Sequence, residues 1–110
     1  MKLRMSFVAN SSSTSYFIVN TSDSTRSLLD FAIQNIELLY EFNIHYDYSF
    51  SLKDFLDSVT QRNIEFHSGE SMTLVFGDED GTVVGHVYDY ELRMGGSSKD
   101  WTWRFHESLR

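Results

Sequence analysis

The chain has 110 residues, with 16 Asp and Glu against 9 Lys and Arg, and a formal net charge of −7. It has no Cys, which excludes a disulfide framework, a thiolate metal site and a cysteine nucleophile. The acidic balance excludes a general nucleic-acid binder of the usual basic kind, and 15% aromatic residues argue against disorder.

This length predicts a single domain over residues 1–110. The opening Met1-Lys2-Leu3-Arg4-Met5-Ser6-Phe7-Val8-Ala9 does not read as a secretory signal. Arg4 and Ser6 break its apolar stretch, and a signal core needs roughly 7–15 apolar residues. No apolar run approaches the ~20 residues of a spanning helix. The expectation is a cytoplasmic protein with no membrane partner. Asn10-Ser11-Ser12 and Asn20-Thr21-Ser22 match the glycosylation pattern, but without a signal they read as chance matches in Ser-rich sequence.

Tyr16–Val19 is β-branched and aromatic between Ser, Thr and Asn, and predicts a buried strand. Ser27-Leu28-Leu29-Asp30 has the form of a capping box. Leu29, Ala32, Ile33, Ile36, Leu39 and Tyr40 then recur at helical spacing, and Leu28, Phe31, Leu38 and Phe42 widen the apolar side. A helix this apolar is covered by other elements or by a partner chain. Ile44, Tyr46, Tyr48 and Phe50 alternate with polar residues, which predicts a half-buried strand. Ser51-Leu52-Lys53-Asp54 repeats the capping signature and opens a second helix to about Arg62.

The remainder reads as strands: Ile64–His67, Met72–Phe76, Thr82–Leu92 and Trp101–Phe105. Gly77–Gly81 predicts a hairpin, Gly85 a bulge, and Gly95–Ser98 a second turn. The expected class is α+β: an antiparallel sheet with a C-terminal meander and two helices on one face, a two-layer sandwich.

Candidate chemistry is sparse. His45, His67, His86 and His106 fall on different predicted strands and lack a compact metal-binding spacing, so no metal and no cofactor are expected. Asp78-Glu79-Asp80-Gly81 resembles the start of a calcium loop, but Val83 and Val84 follow at once, and a solvated turn accounts for it. No Gly-x-Ser-x-Gly and no Gly-rich phosphate loop occurs, and no catalytic residues are assigned. Trp101, Trp103 and Arg104 could stack on a single strand, but alternating tryptophans fit a core better, and no direct nucleic-acid partner is expected.

Charge is uneven. Residues 1–26 sum to +2 and residues 93–110 to +2, while residues 27–92 sum to −11, with 13 carboxylates against Lys53 and Arg62. Asp30, Glu37, Glu41, Asp78, Glu79, Asp80, Asp89 and Glu91 are therefore the candidate partner-binding residues, on an acidic surface that would steer a basic partner.

The N-terminal segment resembles that of small bacteriophage-encoded proteins, which open with basic residues, then (Gly/Ser)-Phe-Val-Ser-Asn, a serine run and an aromatic strand. Arg4, Phe7, Val8, Asn10, Ser11, Ser12, Ser13, Ser15, Phe17 and Ile18 carry the likeness. Ser6, Ala9 and Thr14 depart from it, and the match covers under a fifth of the chain. The resemblance implies a phage origin and brings no catalytic residues. The leading expectation is a non-enzymatic phage accessory protein that binds a host or defence protein, in its sharpest form as an acidic nucleic-acid mimic. The alternatives are a metal or small-ligand protein using the histidines, and a minor virion or assembly protein. A homodimer through the first helix, seamed by Leu28, Phe31 and Leu38, is a further expectation.

Overall fold

Seven residues, Thr14–Asn20, form β1, the strand on which the rest of the sheet is built. A computed structural model describes residues 14–77 and 82–108, the last two by backbone alone. After β1 come β2 (Arg26–Ser27), α1 (Leu28–Gln34), α2 (Glu37–Tyr46), α3 (Leu52–Arg62), β3 (Glu65–Phe66), β4 (Ser71–Phe76), α4 (Val83–Glu91), β5 (Gly96–Ser98) and β6 (Trp101–Ser108). The main sheet runs β4-β1-β6-β5 and is antiparallel throughout; β2 and β3 form a small second sheet. The class is α+β, with helices packed against the sheet.

The register explains the core. Ile18 pairs with Met72 and Trp103, Asn20 with Trp101, and Tyr16 with Leu74 and Phe105. Residues two apart on a strand share a face. Tyr16, Ile18, Leu74, Phe76, Trp101 and Trp103 are buried on one side, where they meet Phe31 of α1, Phe55 of α3 and Tyr88 of α4. Both tryptophans fill this core, so they offer no stacking platform to a nucleic acid. Arg104 lies on the opposite face, its guanidinium 4.7 Å from the centre of the Phe17 ring.

Two helix starts form as their residues predict. Ser27 accepts the Asp30 N–H at 3.1 Å and donates its own N–H to the Asp30 carboxylate at 2.8 Å, a complete capping box. Ser51 accepts the Asp54 N–H at 3.1 Å and opens α3.

Three expectations are corrected. The long first helix is broken after Gln34. Asn35 is buried, and its side-chain amide donates to Phe31 O at 3.0 Å, so a local side-chain bond competes with helix continuation. Among the described residues there are therefore three helices where two were expected before β4, and a fourth follows it. Ile44–Phe50 is not a strand: α2 runs on to Tyr46 and stops at Asp47, which is left-handed at φ 55°. Ile44, Tyr46 and Tyr48 are all exposed, so the alternation does not separate a buried face from a wet one.

The third correction is the largest. Thr82–Leu92 is a helix and its cap, so no hairpin joins it to β4, and Gly85 lies in a helix, not a bulge. Thr82 accepts the Gly85 N–H at 3.1 Å, and Ser58 of α3 accepts the Val84 N–H at 3.2 Å. Val84, Val87, Tyr88 and Leu92 are buried together at helical spacing. Strand propensity of valine and tyrosine is overridden by burial against α3 and the sheet. The meander position that this segment would have taken is filled by β1, which lies between β4 and β6.

Candidate functional site

The eight predicted acidic residues separate into four groups. Asp30 is spent on the α1 cap. Asp89 is buried: Thr14 donates to its carboxylate at 2.6 Å, Arg93 lies 3.7 Å from it, and Tyr16 donates to its backbone carbonyl at 2.8 Å. Burial pushes the Tyr16 hydroxyl up to about 12, so it serves as a donor at any ordinary pH. This network ties α4 to β1 and takes Asp89 off the surface. Asp78, Glu79 and Asp80 lie outside the described residues, as do Phe7, Val8, Asn10, Ser11, Ser12 and Ser13 of the N-terminal motif. Of the motif residues that are described, Ser15 is buried with its hydroxyl 3.0 Å from His106 Nδ1, and Phe17 lies under Arg104.

Glu37, Glu41 and Glu91 remain. Glu37 and Glu41 are exposed and one turn apart on α2, with His45 one further turn along; Glu91 is half-buried on α4. The two helices pack together, and the Glu91 carboxyl is influenced by both His45 and Glu41. Burial raises it above the ordinary carboxylate range, His45 pulls it back, and Glu41 raises it further. Asp47 is exposed at the end of α2. Among the described residues, no Lys or Arg forms an ion pair with Glu37, Glu41, Asp47 or Glu91, whereas Asp57, Asp89 and Asp100 are paired with Lys53, Arg93 and Arg26.

An outer cluster of rings forms at the end of α2, and three of its members, Tyr46, Tyr48 and Phe50, belong to the segment expected as a strand. Phe42 is buried at its base, and Tyr48 and Phe50 lie parallel to it at 5.3 and 5.8 Å, within 12°. Tyr46 and Tyr90 close the other side, 4.8 Å apart. Asn43 builds the arrangement. Its amide donates to Phe50 O at 3.0 Å and its side-chain oxygen accepts the Phe50 N–H at 3.2 Å, while its backbone carbonyl accepts the Tyr48 N–H at 3.1 Å. An asparagine thus folds the chain after α2 back over the helix, with Asp47 supplying the left-handed turn. The signal for it in the sequence was a pair of turn formers, Asn43 just before the apparent strand and Asp47 within it.

The histidines do not converge on a strand face. His106 alone is on a strand; His45 and His86 are helical, and His67 follows β3. Among the described residues, no group of three His, Cys, Asp or Glu side chains is placed to hold a metal ion. Asn20 is fully buried, and its amide donates to Ser24 O, Phe66 O and His67 O, so it is a structural hub and no glycan acceptor. Leu28, Phe31 and Leu38 are all buried within the chain, so a dimer seam cannot use them; the exposed apolar residues nearby are Ile33, Tyr40 and Ile44. Among the described residues no helix is long and apolar enough to cross a membrane. The chain matches no protein-family model, no curated protein and no solved structure.

Proposed function

We propose that this is a non-enzymatic phage accessory protein that binds a host or defence protein with a basic surface in the cytoplasm of the infected cell. The observation that carries the reading is the set of carboxylates Glu37, Glu41 and Asp47 on α2 and its end and Glu91 on the adjoining α4, unpaired with Lys or Arg among the described residues. Carboxylates retained without partners repel one another, and a basic surface relieves that repulsion while steering encounter. The phage-like start of the chain supports the setting. The exposed Tyr40, Tyr46 and Tyr48 on α2 and just after it favour direct contact with a protein over mimicry of a phosphate backbone.

The test is co-purification of untagged chain from host lysate, followed by reconstitution from pure components. A stoichiometric complex with a host protein, weakened by raising the salt from about 0.1 to 0.5 M, is expected. Recovery of the chain alone, together with turnover of a substrate, would overturn the proposal. So would its presence at fixed copy number in purified particles, which assigns it to the virion.

A further inference from the structure

The two basic ends of the chain meet in the fold. Arg26 lies in β2 and Lys99 in the turn between β5 and β6. Together with Gln34 at the end of α1, Ser98 and Asp100, they line one open cavity of about 430 Å³. Small-molecule sites run from roughly 300 to 1,000 Å³. Every lining side chain is polar or charged. Arg26 pairs with Asp100 at 3.5 Å, and its Nε donates to Ser22 Oγ at 3.4 Å, so the guanidinium is held from two sides.

The lining has bonding capacity to spare. Among the described residues, Lys99 forms no ion pair and the Gln34 side-chain amide has no hydrogen-bond partner. Ser98 Oγ is shut off from solvent and also has no partner among them. A buried hydroxyl left unpaired costs free energy, which a bound group that pairs with it recovers. Charge sets the kind of ligand. Arg26 and Lys99 against Asp100 leave one positive charge in surplus, in a chain whose net charge is −7. A guanidinium presents a planar fork to an oxyanion, and an ammonium presents a point charge. No aromatic residue lines the cavity, so a nucleobase has nothing there to stack on. An amide and a hydroxyl suit the hydroxyl groups of a small polar molecule.

We propose that this cavity binds a small hydroxylated molecule carrying one oxyanion, a carboxylate or a phosphate. Arg26 and Lys99 hold the oxyanion, and Gln34 and Ser98 bond the hydroxyl groups. The site uses none of the carboxylates on which the partner reading rests, so the two readings stand or fall separately.

The experiment is a chemical-shift titration of the full chain with gluconate and with glucose 6-phosphate, and with glucose and adenosine monophosphate for comparison. At least one of the two hexose oxyanions is expected to shift the backbone amides of residues 97–101 and the Gln34 side-chain amide saturably. Whichever binds more tightly assigns the oxyanion. Glucose keeps the hydroxyls and lacks the charge, and should bind about tenfold more weakly. Lys99→Gln, at an exposed position, should weaken binding about fivefold and flatten its salt dependence. Ser98→Ala should weaken it about threefold without lowering the melting temperature, because that hydroxyl bonds to no other described residue. The proposal is overturned if neither oxyanion shifts these signals at about 10 mM, a concentration that fills most of a millimolar site. It is equally overturned if glucose binds as well as they do, if adenosine monophosphate binds more tightly, or if Lys99→Gln changes nothing. A melting temperature lowered by Ser98→Ala, with affinity unchanged, assigns that hydroxyl to packing and overturns its place in the site.

Discussion

The protein holds two clusters of aromatic rings built on different geometry. In the inner one, Phe31 meets Tyr88, Trp101 and Trp103 at 5.2–5.5 Å with the rings 76–90° apart. In the outer one, Phe42, Tyr48 and Phe50 lie within 12° of parallel. Edge-to-face rings point in all directions, interlock and close on themselves, which suits a core. The near-parallel rings of the outer one sit offset from one another with centroids 5.2–5.8 Å apart, and Tyr48 among them is half exposed. The inner cluster draws its members from α1, α4 and β6, so it needs the whole fold. The outer one is assembled mostly from residues 42–50, clamped by one asparagine.

The largest expected difference between the clusters is thermodynamic. Phe31→Ala should cost about 3–5 kcal/mol, because it opens a cavity between three buried rings. Tyr48→Ala should cost about 0.5 kcal/mol or less, as for an exposed position without buried hydrogen bonds. Urea unfolding of both variants checks this, and similar losses would erase the distinction between a packing cluster and a presenting one.

An intermediate effect is expected at the clamp. Asn43→Ala removes both side-chain bonds to Phe50 and should destabilise by about 1–2 kcal/mol. Residues 47–50 should gain amide exchange and lose the parallel ring contacts while the inner cluster keeps its protection. If protection fell equally in both clusters, the outer one would not be a separate unit.

The smallest effect is a pH signature at Glu91. The Glu91 carboxyl is raised in the folded chain, first by burial. Its ionised form is therefore disfavoured by folding, and that penalty is present at neutral pH. It fades as pH falls through the raised folded value and is gone below the unfolded value of ~4.3. Glu91→Gln should accordingly raise the melting temperature slightly at pH 7 and leave no advantage near pH 4, measured by thermal scans at both. A gain that persists at the lower pH would trace the effect to packing instead of charge.

Local chemistry was legible in the residues. Ser27 with Asp30 and Ser51 with Asp54 mark the starts of α1 and α3, because a cap is satisfied within four residues. Tyr16–Val19 lies within β1, and Trp101, Trp103 and Phe105 share one face of β6 as their spacing requires. The outer rings were visible as aromatic residues but not as a surface. Their period of two read as a strand, and the bond from Asn43 to a residue seven positions on cannot be inferred from spacing.

What the sequence determined by itself is therefore composition, caps, the α+β class and the charge division of +2, −11 and +2 along the chain. Only the tertiary structure decided how those charges are used. It buried Asp89 under Thr14 and Arg93, spent Asp30 on a cap, and left Glu37, Glu41 and Glu91 along the packed pair α2 and α4. It also turned Val83–Glu91 into a helix, because Val84, Val87 and Tyr88, with Leu92 at the cap, bury against α3 and the sheet only at helical spacing. The physical reason is range: a cap or a strand alternation is settled by neighbours in the chain, whereas burial and charge pairing depend on which distant elements arrive beside them.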